Sequence, residues 1–212
     1  MPQTEGIRVL IAHDEALTRE GLATIINRGK EMKVVDLAEN ISQIMNAIKL
    51  QRPDVLLIDL RLDGLDGVEV IQKVRETFPS VAIVILSGYE GSEDIYRALR
   101  AGVRGYLMRG VSDAEIIEAI LTVKSGGRHI PNEIAIRLAE RMDGSTLSER
   151  ELQVLQQIIK GKSNKEIAAL LSITEGTVKY HVTGILTKLG VTDRTHAATA
   201  ALLRGIVHLH DI

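Results

Sequence analysis

Four apolar stretches of this chain run directly into residues that can do chemistry. Val55-Leu56-Leu57-Ile58 stops on Asp59, Ile11-Ala12 leads into His13-Asp14, Leu86 precedes Ser87, and Leu107-Met108 precedes Arg109. Brought side by side, these ends place two carboxylates, an imidazole, a hydroxyl and a guanidinium in one crevice. Paired carboxylates favour a hard, oxygen-seeking cation such as Mg2+, which can clamp a phosphoryl oxygen. Asp59 could then attack phosphorus, with Ser87 and Arg109 donating hydrogen bonds to the transferred group. Taken alone, Asp59 reads equally well as the cap of its following loop, and Ser87 as an ordinary strand-end hydroxyl.

The elements that must position these residues are legible in the spacing of apolar side chains. Strand-like runs occupy Ile7–Ala12, Lys33–Ala38, Asp54–Asp59, Val81–Ser87 and Val103–Met108. Helical patterns lie between them at roughly 15–28, 41–51, 66–77 and 92–101, with a fifth at 112–124. Leu17, Leu22 and Ile25 space one helix face, and Val70, Val74 and Phe78 another. Five strand–helix units predict a doubly wound, five-stranded parallel sheet with helices on both faces. In such sheets the ligand crevice lies at the carboxyl ends of the strands, where Asp59 is found.

Residues 1–124 are therefore expected to form one α/β domain, and 125–145 a partly helical linker around Pro131, Ile134, Leu138 and Met142. From 146 to 212 the period is helical throughout. Ser148-x-x-Glu151 and Ser163-x-x-Glu166 both fit the capping box. The first helix points Leu152, Leu155 and Ile159 inward, and the second, about 164–171, buries Ile167 and Leu171. A third carries Val178, Val182, Ile185 and Leu189 to Gly190, and a fourth spans about 194–204. A tight turn between two short helices of a four-helix unit predicts a helix-turn-helix.

Composition narrows the function. The 212 residues contain no cysteine, which excludes disulfides, thiol catalysis and cysteine zinc sites. No apolar run is long enough to span a bilayer, and the N-terminal residues lack a signal-peptide layout, so a cytoplasmic location is expected. A net charge of −2 hides an asymmetry: residues 146–212 hold 8 Lys and Arg against 6 Asp and Glu. A mildly basic helical unit behind an acidic one hints at a nucleic-acid partner.

Residues 7–124 resemble a response-regulator receiver domain, through Asp14, Asp59, Leu62-Asp63-Gly64-Leu65-Asp66-Gly67, Ser87 and Gly105-Tyr106-Leu107. The resemblance implies that Asp59 is a phosphoacceptor and Asp14 a Mg2+ ligand, with the backbone carbonyl of Arg61 supplying another. It implies that Ser87 and Tyr106 form a switch. Three positions depart from the family pattern: His13 and Asp14 stand where two acids are usual, Arg109 where Lys is usual, and Asp63 where Pro is usual. His13 removes a negative charge from the cation site and tilts its preference toward transition metals, so weaker Mg2+ binding is expected. Arg109 keeps the charge, but its planar fork is not equivalent to an ammonium and can pair with Asp59 directly.

The C-terminal part resembles a LuxR-type helix-turn-helix, and the whole chain the NarL/FixJ class. The resemblance rests on Leu147-Ser148-Glu149-Arg150-Glu151, Gly161 to Ala168, Thr174 to Val182 and Lys188-Leu189-Gly190-Val191. With Val178, Val182 and Ile185 inward, Lys179, Tyr180 and Thr183 project outward from the helix half that enters the major groove. The resemblance assigns the same three positions to base contact. Ser163, Asn164, Lys165, Thr177, His181 and Lys188 are candidates for phosphate contacts, although His181 serves equally as a packed histidine. Gly184 stands where the family commonly has Asn, and a mid-helix glycine costs about 1 kcal/mol relative to Ala. The resemblance also implies dimers on DNA through the fourth helix.

Two functions follow. One is a transcription regulator controlled by phosphorylation of Asp59 by a sensor histidine kinase. The other keeps the DNA reader but treats the receiver as a phosphorylation-independent dimeriser or ligand sensor, a reading supported by His13 and Arg109. A Mg2+ phosphatase is disfavoured, because Arg61 stands where a general acid would be required, and the chain is not expected to be an enzyme.

Overall fold

The computed structural model describes residues 6–62, 65–88, 91–143 and 146–207. The expected departure at Asp63 lies outside them, as do the first five residues. Contact density divides the chain into two compact units, the sheet-bearing one and a helical one that includes everything from Ile136 onward.

The first unit alternates β1 (Ile7–Ala12), α1 (Ala16–Asn27), β2 (Met32–Ala38), α2 (Ile41–Gln51) and β3 (Val55–Ile58). A two-residue pair follows, β4 (Arg61–Leu62) and β5 (Leu65–Asp66), then α3 (Gly67–Thr77), β6 (Ala82–Ser87), α4 (Ser92–Arg100), β7 (Gly105–Met108) and α5 (Asp113–Lys124). The five long strands are parallel in the order β2-β1-β3-β6-β7. The doubly wound parallel sheet is as expected. The antiparallel β4–β5 pair is an addition, since two-residue strands leave no alternation to read.

The apolar runs are continuous because both sheet faces are covered. All of β3 and β6 is buried, as is β1 from Val9 onward. On one face Val9, Ile11, Val55, Leu57, Val84 and Leu107 pack with Leu22 and Ile26 of α1 and Ile116 to Val123 of α5. Alternate strand residues, Leu10, Leu56, Ile58, Ile83 and Ile85, point the opposite way and are equally buried. Leu17 corrects the expected α1 face: it is 87% exposed, and the buried residues of that helix are Leu22 and Ile26. It lies in the first turn of the helix, short of the two residues that reach the sheet.

Ladder hydrogen bonds carry the sheet one residue past its strands and so fix the crevice. Asp59 N–H donates to Ala12 O at 3.1 Å, His13 N–H to Ala38 O at 3.1 Å, and Arg109 N–H to Ser87 O at 3.0 Å. Gly67 closes the loop behind Asp59. Its N–H donates to Leu60 O at 2.9 Å. A Cβ there would stand 2.5 Å from the same oxygen, so only glycine fits.

After α5, Gly126 turns the chain at φ 91°, and His129 lies alongside β7 as an isolated parallel bridge to Gly105. His129 N–H donates to Arg104 O and its carbonyl accepts from Tyr106 N–H, both at 2.9 Å. α6 (Asn132–Asp143) follows, a full helix within the expected linker.

The helical unit then comprises α7 (Glu149–Ile159), α8 (Asn164–Leu171), α9 (Glu175–Leu189) and α10 (Arg194–Leu203). Both capping boxes form, and Gly190 takes the left-handed cap of α9 at φ 66°. The core gathers Val154, Leu155, Ile158, Ile167, Val178, Ile185 and Leu189 with Ala197 and Ala201. Leu152, Ile159, Leu171 and Val182 are only partly buried against it. The inner face of α7 is therefore rotated from the expected one, toward Val154 and Ile158.

Candidate functional site

The sheet brings the expected crevice residues together. Asp59 is 4% exposed, yet its carboxylate is well supplied with donors. Arg61 N–H reaches Oδ1 at 3.3 Å, and His13 Nε2 lies 3.2 Å from Oδ2. Arg109 Nη2 is 3.4 Å from Oδ2, and the Ser87 hydroxyl also bonds the side chain. Burial pushes the Asp59 pKa up, but His13, the Arg61 amide and Ser87 together overcome it and hold the carboxyl below its ordinary value. Asp59 is an anion at neutral pH, the form a nucleophile requires.

His13 sits deeper than an outward-facing ligand would. It is 3% exposed, and its Nδ1 accepts the Glu15 N–H at 3.0 Å. That leaves the Nε2 hydrogen to donate to Asp59. Asp14 Oδ1 lies 3.0 Å from the same Nδ1. Ligand atoms of His13, Asp14 and Asp59 all fall within 4.8 Å of one another, a nitrogen-and-oxygen donor set able to hold a divalent ion. Asp14 is the exposed member and opens the cluster to solvent.

Arg109 reaches Asp59 from outside. Its side chain is 55% exposed and drapes across Gly88, where a Cβ would meet Nε at 3.2 Å. It pairs with Asp59 at the long end of hydrogen-bond range. Tyr106 is wholly buried on β7, in register with Ile85, while Ser87 pairs with Met108. Arg61 meets Asp59 through its backbone amide.

On the helical unit, the residues assigned to base contact are the outward ones. Lys179 is 66% exposed and paired with Glu175 at 3.3 Å, and Tyr180 is 77% exposed. The Thr183 hydroxyl donates to Lys179 O at 3.1 Å. The assigned phosphate contacts divide. Lys165 is exposed, whereas the Ser163 hydroxyl is held by Glu166 at 2.7 Å and that of Thr177 by Thr174 at 2.9 Å. Asn164 Oδ1 accepts from Arg194 at 3.5 Å. His181 is half-buried and edge-on to Tyr180, with ring centroids 5.6 Å apart.

Lys188 is placed differently from the others. Its Nζ lies 2.6 Å from Glu151 Oε2, a carboxylate that is almost fully covered. Burial pushes the Glu151 pKa up, but Lys188 and Ser148 outweigh it and hold it below the ordinary value. Glu151 reads in sequence only as the third residue of a capping box. Its reach to a residue in another helix has no local signature, although the unexpected glycine at 184 marks the spot. Glu151, Tyr180, Thr183, Gly184, Thr187 and Lys188 line one concave surface.

Both parts of the chain match known families. A family model described as the response regulator receiver domain matches residues 9–121. A second, described as bacterial regulatory proteins of the luxR family, matches residues 145–201. The transcriptional regulatory protein LnrK of Bacillus subtilis (strain 168) is 35% identical, covering 94% of this chain and 98% of its own. The crystal structure of the response regulator ChrA, from a heme-sensing two-component system, is 33% identical with a TM-score of 0.58, covering 95% of this chain and 99% of its own. RcsB of Salmonella typhimurium superposes with a TM-score of 0.75 at 22% identity over 92% of this chain and 98% of its own, a likeness of fold.

Proposed function

Because the chain belongs to the response regulators that join a receiver to a LuxR-family regulatory domain, we propose that Asp59 is the phosphoacceptor of a DNA-binding transcription regulator, charged by a sensor histidine kinase. The observation that carries this reading is the buried, ionised carboxylate of Asp59 at a strand end, with Asp14, Ser87 and Arg109 around it. An oxygen of Asp59 attacks phosphorus, the donor's bond to phosphorus breaks, and the new acyl phosphate keeps the carboxyl oxygen. Asp14, Asp59 and the Arg61 carbonyl would hold Mg2+, which when bound neutralises and orients the phosphoryl oxygens. Ser87 and Arg109 donate to the incoming group, and Tyr106 on the neighbouring strand follows the Ser87 hydroxyl. The added charge biases the receiver between two states.

On the output side, α9 lies in the major groove with Lys179, Tyr180 and Thr183 toward the bases. Lys165, Asn164, Ser163, Thr177 and His181 serve the backbone. A unit this weakly basic requires two copies on adjacent half-sites. The two copies meet through α10, a reading supported by Leu203, which is 75% exposed there. Among the described residues no helix is long and apolar enough to cross a membrane, in keeping with a cytoplasmic regulator.

His13 favours a second reading, in which the receiver dimerises without phosphorylation, because its imidazole already satisfies Asp59. One experiment separates the two. The full chain is incubated with Mg2+ and acetyl phosphate and its mass is measured. Gain of one phosphoryl group, lost in Asp59→Asn, supports the first reading; no gain by a protein that still binds duplex DNA supports the second.

A further inference from the structure

Gly184 stands in the middle of the recognition helix, and its surroundings explain the missing side chain. A Cβ there would lie 2.7 Å from Glu151 Oε1. The glycine therefore admits an acid from α7 against the flank of α9. Once seated, Glu151 is 7% exposed, and its Oε2 accepts from Ser148 N at 2.7 Å, Ser148 Oγ at 2.9 Å and Lys188 Nζ at 2.6 Å. Lys188 occupies the same concave surface as Tyr180 and Thr183. A cation on the DNA-reading side is thus tied to an internal anion.

We propose that Glu151 is a specificity-setting residue that withholds Lys188 from the DNA backbone. It is a positioning residue, acting through Lys188 and the seating of α9. This rests on the reading of α9 as the DNA-contacting helix. A lysine already paired with a covered carboxylate does not neutralise a phosphate, so it adds nothing to sequence-independent binding, which is dominated by phosphate contacts. Exposed ion pairs yield readily to salt and to competing anions. This pair is more sheltered than the Lys179–Glu175 pair, with Lys188 27% and Glu151 9% exposed at the side chain. Holding Lys188 back lowers affinity for arbitrary sequence and leaves discrimination to Lys179, Tyr180 and Thr183.

The test uses the full chain and a mixed-sequence DNA duplex over a series of salt concentrations. Glu151→Gln is the informative variant, because Gln also completes a capping box and so preserves the start of α7 while removing the charge. Its salt dependence should steepen, the slope of log K against log salt growing by about 0.9 per chain as one more phosphate is neutralised. Affinity for the mixed duplex should rise severalfold. Gly184→Ala, whose methyl displaces Glu151, should move both quantities in the same direction. The double variant Glu151→Gln, Lys188→Gln should return to the wild-type slope, and Lys188→Gln alone should leave it unchanged. An unchanged slope in Glu151→Gln, even with a lowered melting temperature, would show a purely structural pair and overturn the proposal. A shallower slope in Lys188→Gln alone would show that Lys188 already contacts phosphate, which overturns it too. If the wild type binds no duplex, the DNA-binding reading itself falls, and the proposal with it.

Discussion

His13 Nε2 lies 3.2 Å from Asp59 Oδ2, so the carboxylate proposed to carry the phosphoryl group is hydrogen-bonded to an imidazole. The same ring meets Asp14 and the Glu15 amide through its other nitrogen. One side chain thus touches both acids of the crevice and bears on whether a cation or a proton donor organises it.

Replacing His13 separates these roles. His13→Asp adds a carboxylate beside Asp14 and removes the donor to Asp59, so Mg2+ affinity should rise. An increase of about tenfold, or ~1.4 kcal/mol, is expected. Calorimetric titration of both proteins with Mg2+ measures it; equal or weaker binding by the variant would mean that His13 costs the site nothing.

The lowered pKa of Asp59 makes stability depend on pH, and the sign is fixed. A carboxyl whose folded value lies below the unfolded one stabilises the fold above the unfolded value and loses that contribution as pH falls through the folded one. The difference in unfolding free energy between wild type and Asp59→Asn should therefore hold steady at neutral pH and shrink below the ordinary carboxyl value of 3.8. Urea denaturation of both proteins across acid pH gives the comparison, and a difference that grows toward acid would contradict it.

Lys179→Ala should remove sequence discrimination worth about 1–3 kcal/mol, the range for a well-placed base contact. Mixed-sequence binding should fall much less. Paired binding isotherms on a selected target site and a scrambled duplex decide this, and retained preference would take Lys179 out of the base-reading set.

Two glycines offer a contrast in what a methyl group meets. At Gly67 the obstacles are backbone atoms of Leu60, the nearest at 2.5 Å, whereas at Gly184 the obstacle is the end of the Glu151 side chain. Gly67→Ala should destabilise the receiver by about 1–3 kcal/mol, as overpacking does, and disturb the loop that follows Asp59. Gly184→Ala should cost far less, since a carboxylate can swing and alanine favours the helix. Thermal unfolding of the two variants should rank them in that order.

The sheet and its crevice are legible in the sequence because the central strands are covered on both sides. β3 and β6 are buried on both faces, so their apolar runs mark the strands and their ends mark the crevice. Asp59 and Ser87 follow from those two ends, and His13 and Arg109 from the ends of β1 and β7. Leu17 misled because its spacing fits a helix face, whereas the sheet covers only the part of α1 around Leu22 and Ile26. The β4–β5 pair is too short for periodicity to register. The Lys188–Glu151 pair is not legible in the sequence, because the two residues lie 37 apart and Glu151 looks locally like a cap.

The His129 bridge bears on how this protein should be cut. β7 ends the sheet, and the chain after α5 supplies the last partners for Arg104 O and Tyr106 N–H. A receiver fragment stopped at Lys124 would bare those groups along an open strand, a template for pairing with another chain. Such a fragment should self-associate, and one extended through Pro131 should remain dispersed, as sedimentation of the two would report. The stretch after α5, which belongs to the sheet-bearing unit, thus also serves as a solubility device.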